Sequence, residues 1–195
     1  MQTPGDDPGP DPGAATWAPA ERRVRLIAPP DLTALLFTAC TEAGLMPDSQ
    51  GPVAIVAARG AVSPRALDSL MREGLTHLLV TEMPTGWLVG PLVVPGRSAC
   101  VRCVDLHLSG GDPRFQHLVG GTATVRRRPD EHDAASLRLA LAWAARDVAA
   151  QLASASASTV SATITLGPAA APVHNTWPPH PHCGCTWDLT MAAEA

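Results

Sequence analysis

The sequence predicts an α/β fold in which helices flank a parallel sheet and four cysteines form a structural zinc site. Short apolar segments alternate with segments of helical periodicity through the first half of the 195 residues. Segment 53–57 is apolar at every position, which is typical of a strand covered on both faces. Two close pairs of cysteines stand far apart in the chain, the arrangement that one tetrahedral zinc ion needs.

The first half alternates between strand and helix. Strands are predicted at 24–28, 53–57 and 77–81. The first helix is expected to begin at an N-cap formed by Asp31 and to end at Gly44. Ser63 caps the second helix, which carries proline at its first position and ends at Gly74. Two successive strand–helix–strand units imply right-handed crossovers and therefore parallel strands.

The second half is more varied. Segment 87–94 continues the sheet or adds a hairpin to it after a turn at 83–86, and 110–128 has the glycine pairs of a loop. The longest helix is expected to begin near Asp130 and Asp133 and to run to about Leu152, with one apolar face. A strand in 158–166 and a pairing partner in 173–177 complete the pattern.

The cysteines are interpreted as a four-thiolate zinc site. Cys100 and Cys103 form a Cys-x-x-Cys pair, in which a short turn lets both sulfurs face one ion. Cys183 and Cys185 form a tighter Cys-x-Cys pair. Such a site would join the middle of the chain to its last part and, with four thiolates, would leave no open position for catalysis.

The sequence also allows other interpretations of these cysteines and of the histidines near them. A redox dithiol at Cys100 and Cys103 would require a thioredoxin-like order of elements, which is not visible around them. Disulfides are disfavoured because the cysteine total is odd and no signal peptide is present. Either His180 or His182 could replace one sulfur as ligand. Cys40 lies in an apolar helical segment and is expected to be a core residue.

Composition excludes several classes of function. The net charge is −4, so no basic surface is expected to bind nucleic acid or an anionic membrane. All 14 basic residues are arginine, which excludes chemistry that depends on lysine. No apolar segment is long enough to cross a bilayer, and a cytoplasmic protein is predicted. Arg126, Arg127 and Arg128 are expected to be a solvated charge run rather than a phosphate site.

One domain with two tails is expected. Residues 1–20 are rich in Pro, Gly and Asp and have little to bury, so this tail is predicted to be disordered. Trp17 is the one residue in it that could dock on a partner. The folded domain is placed at 21–188, and 189–195 is predicted to be a second flexible tail.

These motifs together resemble a known family. An apolar Gly-Pro-Leu-Val-Val-Pro-Gly segment at 90–96 precedes Cys100, and Trp-Pro-Pro-His-Pro-His-Cys-Gly-Cys ends at Cys185. This order is similar to that of ThiF-like proteins of bacterial peptide natural-product pathways. It most resembles the actinobacterial partner proteins of YcaO cyclodehydratases, which help install thiazoline and oxazoline rings in ribosomal peptides. The resemblance covers about 24–187 and implies a Rossmann-like sheet with all four cysteine ligands present.

The sequence also departs from the adenylating members of that family. Those members hold ATP on a glycine-rich turn after their first strand. Here the turn is Ala28-Pro29-Pro30-Asp31, in which two prolines lack amide donors and Asp31 would repel phosphate. No lysine is present to complete an ATP and magnesium site. The winged-helix region by which full-length members hold a leader peptide has no counterpart before residue 21.

The sequence therefore predicts a scaffold without catalytic or nucleotide-binding residues, which binds a precursor peptide, a YcaO-type enzyme or both. His107, His117, Asp105 and Asp112 do not form a recognisable acid–base arrangement, and no Gly-x-Ser-x-Gly elbow is present. Two alternatives are an adenylyltransferase or cyclodehydratase component that is active only in a complex, and a zinc-stapled regulatory or immunity protein. A homodimer through the alanine-rich sides of the longest helix is also expected.

Overall fold

The computed structural model describes residues 22–84, 86–110, 131–167 and 171–186. Their strands form one mixed sheet in the order β2-β1-β3-β4-β5-β6-β7. The strands are β1 (Arg23–Ile27), β2 (Met46–Pro47), β3 (Val53–Ala58), β4 (Thr76–Met83), β5 (Gly86–Val93), β6 (Ala162–Leu166) and β7 (Val173–Thr176). The helices are α1 (Pro30–Glu42), α2 (Pro64–Arg72), α3 (Val101–Ser109) and α4 (Glu131–Leu152).

The first four strands form the parallel part of the sheet. β1 pairs in parallel with β2 on one side and with β3 on the other, and β3 pairs in parallel with β4. The prediction of an α/β fold with strand–helix–strand units is therefore confirmed. The two-residue strand β2 was not predicted, because Met46 and Pro47 are too few to show a periodic pattern.

The last three strands extend the sheet in antiparallel fashion. β4 and β5 form a hairpin, β6 pairs with β5, and β7 pairs with β6 at the edge of the described sheet. Gly90 in β5 has φ +95°, and a Cβ there would clash with the carbonyl oxygen of Ala162 in β6. Only glycine therefore lets these two strands approach as closely as they do.

Two predicted boundaries differ from the structure. Asp31 was expected to cap the first helix, but α1 begins at Pro30 with Pro29 as its N-cap and no side-chain cap bond. Proline suits the first helical position, so the helix starts two residues earlier and Asp31 falls within its first turn. The predicted strand in 158–166 is shortened to Ala162–Leu166, because Ser161 has φ 49° and interrupts it. The predicted Ser63 cap is confirmed, since its side chain accepts from the Ala66 amide.

Two layers of helix cover the sheet. α1 and α4 pack on one face, where a large core includes Leu36, Ile55, Trp87 and Leu141. α2 packs on the opposite face, where Leu70 contacts a smaller core with Val56 and Leu79. The face of α4 that was predicted to be apolar is therefore buried in the core of this same chain. Cys40 on α1 is fully buried, as expected for a core residue.

Several predictions fall on residues outside the described ranges. These are the two tails at 1–20 and 189–195 with Trp17, most of the predicted loop with His117 and Arg126 to Arg128, and the first residue proposed for the longest helix, Asp130. None of the helices in the described ranges combines the length and the apolar character that a bilayer crossing requires.

Candidate metal site and switch-point crevice

The four cysteines predicted as ligands lie together on the face of the sheet that α2 also covers. Their Sγ atoms are all within 4.8 Å of one another. The Sγ–Sγ distance is 3.8 Å for Cys100 and Cys103, 3.4 Å for Cys100 and Cys183, and 3.3 Å for Cys103 and Cys185. These separations exceed the roughly 2.05 Å of a disulfide bond. They are close to the about 3.8 Å that separates sulfurs 2.3 Å from one tetrahedral zinc ion.

Each half of this cysteine cluster is positioned locally. Cys100 is the N-cap of α3 and Cys103 lies in its first turn, so both sulfurs sit at the positive end of the helix. In the second pair, the Cys183 amide donates to the His180 carbonyl in a tight turn, and Gly184 adopts φ 72°. Glycine permits this left-handed conformation without strain, which brings Cys185 back toward Cys183.

The surroundings hold the two halves against each other. The indole N–H of Trp177 donates to Thr163 Oγ1 at 2.8 Å, and the Trp177 amide donates to the Ser161 carbonyl at 2.7 Å. His107 on α3 makes a 2.9 Å hydrogen bond between its Nε2 and the Pro178 carbonyl oxygen. Met71 and Val93 pack beside the sulfurs. The structure therefore places the middle of the chain against residues 177–185.

The thiols of the cluster differ in how readily they ionise. Burial opposes ionisation of the Cys103 thiol, yet its pKa lies below the usual value because the His180 amide donates to Sγ at 3.3 Å. Burial raises the pKa of Cys185 to about 12, and it also raises the pKa of Cys183, where nearby Cys100 adds to the effect. Four adjacent sulfurs can all be thiolates only when a cation offsets their mutual repulsion.

The donor set is compatible with zinc. Four thiols close enough to share one ion are compatible with a four-coordinate zinc site. Among the described residues, no other group of three or more His, Cys, Asp or Glu side chains is close enough to hold a metal ion. His180 and His182 are outside that group, and the His182 amide donates to His180 Nδ1. A dithiol at Cys100 and Cys103 alone would not account for the two further sulfurs beside them.

A second polar site lies between β1 and β3, where the order of the parallel strands in the sheet reverses. β1 leads to α1 on one face and β3 leads to α2 on the other, so the carboxyl ends of β1 and β3 flank the crevice in which α/β folds of this order bind ligands. Arg59 is the first residue after β3. Asp31 comes a few residues after β1. The turn after β1, which lacks the glycines of a nucleotide-binding turn, borders this switch-point crevice.

Charges of the chain itself meet at the switch-point crevice. The Arg59 guanidinium bonds to Asp31 Oδ2 at 2.6 Å and to Glu82 Oε2 at 3.1 Å, and it lies 5.8 Å from the centre of the Trp87 ring. The hydrogen bond from Arg59 lowers the pKa of Asp31, and the amides of Asp31 and Leu32 at the start of α1 act in the same direction. The Arg59 guanidinium at this point is thus paired with two carboxylates of the chain itself.

Sequence reasoning missed Arg59, Glu82 and Asp147. Neither Arg59 nor Glu82 belongs to a charge pattern, and their meeting depends on the order of the strands. Asp147 is fully buried on α4 and accepts from the Thr159 amide at 2.8 Å and from Thr159 Oγ1 at 2.7 Å. Its spacing of three residues from Ala144, within the apolar face, was a signal that its carboxylate is buried.

Comparison with known proteins gives likeness in fold only. No family model matches the sequence, and no curated protein matches it. A heterocyclase in complex with substrate and cofactor matches with TM-score 0.65 and 20% identity over 86% of this chain and 25% of its own. The heterocyclase TruD matches with TM-score 0.65 and 19% identity over 86% of this chain and 28% of its own.

A third match is MccB from E. coli, with TM-score 0.53 and 16% identity over 76% of this chain and 43% of its own. Matching structures of MccB include one with ATP and one, described as a microcin C7 biosynthetic enzyme, with N-formylated MccA. This chain spans about a quarter of the length of the heterocyclases. It therefore shares the fold of one region of these biosynthetic enzymes, which confirms the broad form of the predicted resemblance.

Proposed function

We propose that this protein is a non-catalytic, zinc-containing ThiF-like scaffold that binds a precursor peptide, a YcaO-type enzyme or both during biosynthesis of a ribosomal peptide product. The observation that carries the proposal is the cysteine cluster within a fold like that of the heterocyclases, in a chain whose switch-point crevice carries ion pairs of its own. The scaffold keeps the part of the fold that a closed zinc site stabilises and has lost the part that would hold phosphates.

Cys100, Cys103, Cys183 and Cys185 are proposed as the four ligands of one zinc ion. Bound zinc would join α3 to the segment after β7 and would have no open coordination position, so its role is structural. The His180 amide would donate to the ligated Cys103 sulfur and thereby stabilise its thiolate form. Chemistry on a substrate is assigned to the partner enzyme.

A role in peptide modification is supported by the proteins that share the fold. One matching heterocyclase structure holds its substrate and cofactor, and one MccB structure holds N-formylated MccA. The ion pair between Asp31 and Arg59 counts against the alternative of an adenylating enzyme, since the Asp31 carboxylate would repel a phosphate after β1. A homodimer is also proposed, through the side of α4 where Ala135, Leu139 and Ala142 are exposed.

One co-expression experiment tests the proposal. The full chain is co-expressed with a neighbouring YcaO gene and a short Cys/Ser/Thr-rich precursor gene. The mass of the purified protein is then measured by mass spectrometry under non-denaturing conditions. We expect about one zinc per chain and recovery of the precursor or the enzyme with it. A folded, reduced chain without zinc would contradict the metal assignment, and ATP-dependent turnover by the isolated chain would instead favour the enzyme alternative.

Light scattering over a range of concentrations tests the homodimer, and a mass near 20.2 kDa throughout would contradict it.

A further inference from the structure

The edge strand β7 is exposed in an unusual way. All four of its residues are exposed, so neither face of the strand is covered. Within the described ranges its only partner strand is β6, which leaves its other side without a ladder. None of Val173, His174, Asn175 and Thr176 is charged or proline. Charged side chains and proline are the usual means by which proteins prevent an edge strand from pairing with another chain.

The register shows which backbone groups face outward. Thr176 pairs with Ala162 and His174 with Ile164, while the Trp177 amide donates to the Ser161 carbonyl at 2.7 Å. In an antiparallel ladder, residues alternate between pairs that exchange hydrogen bonds and pairs that do not. Since Trp177 bonds toward β6, the N–H and C=O groups of Thr176 and His174 must point away from it. These two residues offer two donors and two acceptors along the open edge.

The strand is also held in place before any partner arrives. At one end His174 makes a 2.9 Å hydrogen bond between its Nε2 and the Ser158 carbonyl oxygen. At the other end the chain passes directly to Trp177, which is bonded to Thr163, and then to Cys183 and Cys185. An edge that is already extended loses little conformational entropy when another strand pairs with it.

The edge is better suited to an extended peptide than to a second copy of the chain. Four residues at about 3.4 Å each present only a short edge. Val173, 52% exposed, is the one large apolar side chain on it. A stable dimer usually buries about 800 Å² on each partner, which this strip of a rigid body cannot supply. A flexible peptide can pair with β7 and continue over the neighbouring surface, as in other cases of strand addition.

We propose that β7 is a peptide-binding edge, to which an extended segment of the precursor peptide adds as an eighth strand through the outward backbone groups of His174 and Thr176. This inference rests on the proposed function, because it identifies where the scaffold would bind its peptide. Backbone pairing would accept varied peptide sequences, and the surface beside Val173 would favour an apolar side chain at alternate positions of the added strand.

The test compares two substitutions at one position. Thr176→Pro removes the outward N–H and leaves the ladder to β6, which proline on an edge strand tolerates. Thr176→Ala changes the side chain and keeps the N–H. The probes are fluorescein-labelled peptides of twelve residues, selected from a random displayed library on the full zinc-loaded chain. We expect Thr176→Pro to weaken their binding about tenfold or more and Thr176→Ala to leave it within about twofold.

A scan of the peptide supplies a second readout that does not depend on the variant. Each backbone amide of a selected peptide is N-methylated in turn, and losses at alternate positions are expected from strand addition. This scan decides the question alone if Thr176→Pro loses zinc or melts early. Equal binding to both variants, or losses without alternation, would overturn the edge proposal and leave peptide binding intact. Failure of every peptide to bind the unchanged chain would overturn the edge proposal and the peptide-binding part of the proposed function, and a monomer produced by Thr176→Pro from a dimer would assign the edge to a second copy.

Discussion

The switch-point crevice and the cysteine cluster are both polar sites of one sheet, yet their charges are balanced in different ways. In the crevice Arg59 lies between Asp31 and Glu82, so the chain supplies both signs of charge. In the cluster four sulfurs face one another, and the His180 amide donates to the Cys103 sulfur. A site that holds both signs of charge can pair them within the chain, whereas four thiolates of one sign need a cation.

The largest effect is expected from removing a sulfur. Cys103→Ser should abolish zinc binding and lower the free energy of unfolding by roughly 4–5 kcal/mol, the range in which loss of a structural metal falls. The measurements are zinc content by native mass spectrometry and denaturant unfolding. Cys40→Ala is the matched control, because it removes another fully buried thiol that lies outside the cluster. Equal zinc content in the two variants would show that Cys103 is not a ligand.

The next largest effect is expected at Asp147, a buried carboxylate balanced by donors of the chain. Asp147→Ala would leave the Thr159 amide and hydroxyl without their acceptor and should cost about 2–4 kcal/mol. Asn in its place retains one acceptor oxygen and should cost less. Denaturant unfolding of the zinc-loaded protein measures both. If both variants keep the full stability, this carboxylate does not hold the segment before β6 in place.

A smaller effect is expected from His77, which lies on β4 and is buried. Its Nδ1 donates to the Leu75 carbonyl at 2.8 Å, and burial lowers its pKa below the ordinary 6.5. The unfolded chain therefore binds a proton near pH 6.5 that the folded chain does not. Stability from this group is complete above that pH and falls as the pH drops toward the folded pKa, by at most about 1.4 kcal/mol per pH unit.

The measurement is the free energy of unfolding between pH 7.5 and 5.5 for the unchanged chain and for His77→Asn. We expect the variant to be less stable at every pH and to lose less stability as the pH falls. Parallel curves for the two proteins would assign the acid sensitivity to other groups.

The smallest effect is expected at the exposed ion pair of the crevice. Asp31→Ala should change the free energy of unfolding by about 0.2–1 kcal/mol, as exposed pairs usually do. Asp68→Ala, which removes the partner of Arg102 on the other face, is the control.

Neither variant nor the unchanged chain should bind ATP measurably, since Pro29 and Pro30 still lack amide donors. Micromolar affinity by calorimetry in the unchanged chain would contradict this account of the crevice.

The parts that could be predicted from sequence are those with a local signal. The apolar pattern of β3 predicted its burial, and the spacing of Cys100 and Cys103 predicted that their sulfurs lie close together. The switch-point crevice could not be predicted in detail, because Arg59 and Glu82 meet Asp31 only through the order of the strands. The exposure of β7 also depends on tertiary structure. The sequence of a short polar strand is the same whether one of its faces is covered or both are exposed.

The cysteine cluster joins positions 82 and 83 residues apart in the chain. The entropy needed to close such a long loop grows only slowly with its length, so the distance itself is a small obstacle. The segment it encloses contains α4, β6 and β7, which would then be tied at both ends. Their amide hydrogens should exchange with solvent as one cooperative unit, and the rate of zinc release should follow the rate at which that unit opens.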